Sequence, residues 1–161
     1  RLDEWLDLKP GVRHLEDVRL ATIVRNTVWH FAGTLYDLLA YVVMPSHMHW
    51  VFRPCGEWVK STMDETRTPR ETITHSVKRH SGQKCNEVRN VTGPFWQDES
   101  YDHWVRNEDE LMRCIEYVET NPVKAGLAKA PEEWRCSSAY DRATAGGRAG
   151  EPMVRPPEVS G

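Results

Sequence analysis

Two apolar runs, YDLLAYVVM (36–44) and HMHWVF (47–52), are parted only by Pro45 and Ser46, and this pairing constrains the chain more than any other feature. Their β-branched and aromatic content suits a pleated, buried surface. The segment predicts two adjacent strands, or one strand bent at Pro45. Ahead of it, apolar residues at 15, 18, 20, 23, 24, 28 and 31 recur near the helical period, and Asp17 stands close to their start. That spacing predicts a helix over Leu15–Phe31, broken by Gly33 and Thr34.

Beyond the runs the pattern is mixed. A helix start is expected near Ser61, an interruption at Pro69, and a helix from Thr72 to His80 that Gly82 ends. Gly93 to Arg106, GPFWQDESYDHWVR, reads as an edge strand or an ordered loop. Asn107 is placed as an N-cap, with Glu110 three residues on completing a capping-box pattern and Asp109 also favourable against the helix dipole. Leu111, Ile115 and Val118 give that helix its apolar stripe, and Pro122 is expected to stop it. A short turn from Val123 to Ala125, closed by Gly126, should follow. From Thr144 onward repeated Gly and Pro predict a poorly ordered tail, so the chain divides into a domain, 1–143, and a tail, 144–161.

At 161 residues one domain can close its own core. Cys55, Cys85, Cys114 and Cys136 form no C-x-x-C pair, which speaks against a zinc knot or a redox dithiol and for free thiols in a reducing compartment. No run approaches the roughly 20 apolar residues of a membrane span, and the first residues lack signal-peptide order, so a cytoplasmic protein without membrane contact is expected. A net charge of -3 argues against indiscriminate binding to duplex nucleic acid. Between Lys60 and Arg89, however, seven basic residues face four acidic ones, whereas 98–119 is acid-rich. Such an asymmetry steers a nucleic acid to one face or is an ordinary solvated surface. Seven tryptophans exceed what a core needs, so a few are candidates for stacking surfaces.

In an extended strand alternate side chains share a face, so His47 and His49 point together, away from Met48 and Trp50. Two imidazoles so placed are either packing residues or ligands to one divalent ion. On the helix after Asn107, Tyr117 and Asn121 lie four apart and stack on one face. An Asn121 amide oxygen joining the histidines would present Tyr117 one turn away. A tyrosine hydroxyl is a poor nucleophile until its electrophile is polarised, and a divalent ion on a phosphoryl oxygen does that. The competing reading makes Tyr117 filler at the helix edge.

HMH at 47–49 after VVMPS, then GPFWQDESYDHWVR, IEYVETNPVKAGL and EEWRCSSAY, resemble in order and spacing the REP-associated tyrosine transposases, relatives of the IS200-type transposases within the HUH endonuclease superfamily. The likeness runs from about Leu35 to Tyr140. It implies an α/β (α+β) fold, a two-layer ferredoxin-like sandwich of antiparallel sheet with helices mainly on one face. It also implies a site-specific endonuclease and strand transferase acting on single-stranded DNA at hairpins. His47 and His49 match the family's metal ligands and Tyr117 its nucleophile, with Asn121 where relatives place an amide ligand. The family's tyrosine attacks phosphorus, keeps the 5′ phosphate and frees a 3′-OH. Mg²⁺ or Mn²⁺ suits such a site. Lys78, Arg79, Arg106 and Lys124 are candidates for DNA phosphates, and Trp96 and Tyr101 for stacking on bases; His103 is near enough to orient substrate, but is not taken as a ligand. A hairpin-binding module that no longer cuts, and a phosphodiesterase using water, are the rival readings. A monomer is expected, with a homodimer as the alternative, and association with the nucleoid when bound to DNA. Two departures stand out: Ser46 replaces the family's usual Asn, and the family's first strand, which should lie beside the histidine strand, is expected to be missing.

Overall fold

A computed structural model describes residues 1–62, 66–98 and 100–156. Met63, Asp64, Glu65 and Glu99, and the tail from 157, fall outside the described residues. The elements are β1 (Leu2–Asp7), α1 (Val18–Phe31), β2 (Tyr36–Val43), β3 (His47–Pro54), α2 (Gly56–Ser61), α3 (Pro69–Arg89), β4 (Ser100–Trp104), α4 (Glu108–Lys124) and α5 (Ser138–Ala145), with single 3₁₀ turns at His14–Glu16 and Pro131–Glu133. The four strands form one antiparallel sheet in the order β2-β3-β1-β4.

The two apolar runs are separate strands joined by a hairpin, not one bent strand. Met44 N donates to His47 O across the turn, and the carbonyls of Pro45 and Ser46 accept from Leu15 N and Leu8 N. The place of the supposedly missing first strand is filled. Leu2–Asp7 lies between β3 and β4 and pairs antiparallel with both, so the histidine strand has no open edge. LDEWLD manages this because its residues alternate: Leu2, Glu4 and Leu6 turn to one face, and Asp3, Trp5 and Asp7 to the other.

Asp17 caps α1 by accepting from Arg19 N. Leu20, Val24 and Val28 of α1 and Ile73 and Val77 of α3 cover one face of the sheet, packing on Tyr41, Met48, Trp50 and Phe52. The other face is covered by α4, whose Leu111, Ile115 and Val118 meet Ala40, Val42 and Val51. Helices on one face therefore describes α1 and α3, while α4 supplies a third layer. The outer edge of β2 is tied down by later chain: Val43 N donates to Cys136 O and Met153 N to Leu38 O.

Two helices overrun their expected ends. α3 begins at Pro69 instead of breaking there, since Pro at the first helical position loses no hydrogen bond and Thr68 and Glu71 form a capping box around it. It then passes through Gly82, because a Cβ there would stand 3.2 Å from Phe95 Cβ: the glycine admits the 91–98 loop instead of ending the helix. α4 likewise continues past Pro122 to Lys124 and absorbs the short turn expected at 123–125. Pro122 is buried in the last turn, where the one lost donor is offset by packing, and its carbonyl accepts from Leu127 N.

Candidate active site

Cross-strand register assembles the site. Asp7 opposes His47, Trp5 opposes His49, and Tyr101 of β4 opposes Trp5, all on the face toward α4. His49 is fully buried. Trp5 stacks on its ring at 3.9 Å between centroids, and Nε2–H donates to the Asp3 carboxylate. The other nitrogen, Nδ1, is buried without a hydrogen-bond partner. His47 is half-buried, with Ser46 Oγ 3.3 Å from its Nδ1. Burial holds the His47 imidazole below its ordinary range; Asp7 opposes this and His49 adds to it. A neutral imidazole is the form that ligates a metal.

α4 brings the second half. With its apolar stripe on the sheet, the row Cys114, Tyr117, Asn121 falls along the side of the helix facing the histidine strand. Asn107 accepts from Glu110 N, but the Glu110 side chain accepts from Arg106 N instead of returning to Asn107, so the cap is one-sided. The Tyr117 ring is 5.6 Å from His49 and 6.2 Å from Trp5, edge-on to both, and Lys124 Nζ lies 5.2 Å from its centroid. Tyr117 is 48% exposed, so its ring touches the buried histidine while its flank meets solvent. Asn121 is half-buried one turn on, and its amide makes no hydrogen bond among the described residues. The structure thus joins Tyr117 to His49 directly and leaves Asn121 and His47 as neighbours without a direct bond to either. Cys114, beside Asp3, is no rival nucleophile, since burial and then the Asp3 and Glu110 carboxylates push its thiol up to about 11.

The wider set of sequence candidates divides. Trp96 is buried, with its indole N–H donating to Ser81 Oγ, so neither face of its ring is open to a base. Lys78 spends its ammonium on the carbonyls of Gln97 and Asp98, pinning the 91–98 loop to α3. Tyr101 is 67% exposed on the edge strand, and Arg79, Arg106 and Lys124 are exposed. His103 is bonded to Glu110.

Asp3 and Trp5 went unseen in the sequence. The signal present was the two-residue alternation of LDEWLD; what hid it was that their partner, His49, is 46 residues away for Asp3. Among the described residues no group of three or more His, Cys, Asp or Glu side chains is gathered to hold a metal. The unpartnered Nδ1 of His49 fits use as a ligand: a buried acceptor left unpaired is costly, and a histidine held through its other nitrogen by a carboxylate is the usual support of a metal ligand.

No protein-family model matches the chain. A REP-associated tyrosine transposase of Escherichia coli (strain K12) is 27% identical over 105 residues, 65% of this chain and 55% of that protein. A putative REP-associated tyrosine transposase of Haemophilus influenzae is 20% identical over 110 residues, 65% of this chain and 60% of that protein. The matches thus span little more than half the length of these curated relatives. Among solved structures, a REP-associated tyrosine transposase bound to a REP hairpin superposes with a TM-score of 0.64 at 20% identity, covering 96% of this chain and 92% of that one. No helix of the described residues is long and apolar enough to cross a membrane. The motif sequence, the matched relatives and the superposed fold agree: this chain resembles the REP-associated tyrosine transposases and shares their fold.

Proposed function

We propose that the chain is a metal-dependent endonuclease and strand transferase for hairpin-bearing single-stranded DNA, with Tyr117 as its nucleophile. The observation that carries this reading is the half-exposed Tyr117 ring set against the fully buried His49. A phenol used only as filler has no need of that neighbour. His47, His49 and the Asn121 amide would hold Mg²⁺ or Mn²⁺, and the ion would polarise a phosphoryl oxygen and offset the charge that develops on it. Tyr117 Oη attacks the phosphorus, the bond to the 3′ oxygen breaks, and that oxygen leaves as a 3′-OH after taking up a proton. The phenol proton departs to solvent, to which Tyr117 is open. The resulting 5′-phosphotyrosine conserves the energy of the broken diester, so a second 3′-OH rejoins DNA without ATP. Asp3 and Trp5 keep the His49 ring in place throughout.

Incubating the protein with an end-labelled hairpin oligonucleotide in Mn²⁺ tests this. A protein–DNA adduct that survives denaturation is expected, and it should vanish in Tyr117→Phe, in His49→Ala and in chelator. Cutting at an unchanged rate in Tyr117→Phe would replace this reading with a water-using phosphodiesterase. Tight binding without cutting in several divalent metals would replace it with a hairpin-binding module.

A further inference from the structure

On the face of the sheet away from His49 and Tyr117, α1 and α3 leave between them a concavity of about 480 Å³ that the chemistry above does not use. Thr22, Asn26 and His30 line it from α1 at intervals of four, so they stack along one side of that helix. His80 and Lys84, also four apart, line it from α3. The His30 and His80 rings lie parallel across the gap, 5.0 Å apart and 7° from coplanar, with Phe31 edge-on to both. At its floor Arg25 is fixed by Asp141, which is 1% exposed and also accepts from Trp29 Nε1 and Tyr41 Oη. Arg155 and Pro156 close the rim. Among the described residues no acidic side chain lines the space; Asp141 lies behind Arg25.

We infer that this concavity is a second binding site, distinct from the candidate active site, that seats phosphate groups of a nucleic-acid strand. Two parallel imidazoles each carry an N–H donor, enough to bond two oxygens of one anion. The Asn26 amide N–H on the α1 side and the Lys84 ammonium on α3 add a donor and a positive charge suited to a phosphate. Burial, then Lys84 and His30, hold the His80 imidazole below its ordinary range. A bound phosphate reverses the balance of charge and draws a proton onto the pair, so binding strengthens as pH falls. The groups facing the pair are Lys84 from α3, Arg25 from α1 and Arg155 from the C-terminal segment. The choice of nucleic acid as the source of phosphate rests on the DNA-directed reading above; the anion site does not.

The test uses the full chain carrying Tyr117→Phe, which cannot form an adduct, so its outcome is independent of whether the protein cuts DNA. Imidazole NMR titrations of His30 and His80 are recorded with no ligand, with inorganic phosphate and with a hairpin oligonucleotide. Both ligands should move the titration of these two histidines to higher pH and leave that of His14 in place. Lys84→Ala should lower the salt slope of oligonucleotide binding by about one. His80→Gln, at a half-buried position, should flatten the rise of affinity between pH 8 and pH 6. A response to inorganic phosphate alone overturns the nucleic-acid assignment, and no response to either overturns the site.

Discussion

The two faces of the sheet use the same backbone for opposite ends. Under α1 and α3 the face is dry: Leu2, Leu6, Tyr41, Met48, Trp50 and Phe52 are almost wholly buried and meet a continuous apolar cluster. Under α4 the apolar contact runs through Ala40, Val42, Val51 and Val105, and shares the face with His49, His47, Asp3 and Trp5. Consecutive residues of β1 fall to the two sides, Asp3 to the histidine and Glu4 to α3. The difference is that one face is packed by apolar and aromatic side chains, Trp50 with its indole N–H unpaired among them, and the other gathers histidines and a carboxylate where chemistry is proposed. If that division is real, substitutions on the first face change stability, and those on the second change chemistry at little cost in stability.

The largest effect belongs to the dry face. Trp50 is fully buried, 4.2 Å from Phe52 and 5.0 Å from Tyr36 between ring centroids. Trp50→Ala is expected to cost about 3–5 kcal/mol in urea unfolding, from lost transfer energy and the cavity left behind. A loss below about 1 kcal/mol would mean that this face is not the cohesive one. Next comes the cap that sets the direction of the Tyr117 helix. Asn107→Ala removes the acceptor of Glu110 N, and about 1 kcal/mol of stability should go with it in the same measurement.

What the sequence made legible divides along the same line. Local signals were sufficient for α1 with its Asp17 cap, for β2 and β3, and for the start of α4, because each depends on periodicity and neighbours a few residues off. The ends of α3 and α4 were not legible, since Gly82 serves Phe95 and Pro122 is buried by tertiary packing, and neither reason lies in the helix itself. In the candidate site, spacing put His47 with His49 and Tyr117 with Asn121 on shared faces, and the roles expected of them came from the family resemblance. Asp3 and Trp5 reach His49 only through the register of β1 on β3, a non-local fact that no window on the sequence contains. At Trp96 the alternative to base stacking, an aromatic beside a Gly-Pro turn that pins its loop to the core, is the one the structure shows, with the indole bonded to Ser81.

Glu4 sharpens the contrast within β1. It is fully buried on the dry face, where Thr74 Oγ1 donates to its two oxygens at 2.8 and 2.9 Å and Arg70 stands 3.7 Å off. Burial raises its carboxyl above the ordinary 4.5, against the pull of Thr74, Ser100 and Arg70. A carboxyl raised on folding contributes its stability below the unfolded value and loses it as pH climbs through the folded one. Glu4→Gln keeps an acceptor for Thr74 and removes the buried charge, so the variant should be the more stable at pH 7 and gain nothing below pH 4.5. Urea midpoints at the two pH values decide it. A variant less stable than its parent at pH 7 would show that Arg70 makes the charge an asset, and that this face is less apolar in its energetics than in its composition.

The smallest expected change in stability is at the residue with the largest proposed chemical role. The Tyr117 hydroxyl makes no hydrogen bond among the described residues, and the ring is half in solvent. Tyr117→Phe keeps the edge-on contacts to His49 and Trp5 and removes one solvated oxygen, so the unfolding free energy should stay within about 0.5 kcal/mol of the parent. Circular dichroism melts and urea midpoints read this directly, alongside the adduct assay. A much larger loss would give the hydroxyl a structural duty that the geometry does not account for. An unchanged fold with no adduct would separate the two faces cleanly, because cohesion would then survive a substitution that ends the proposed reaction.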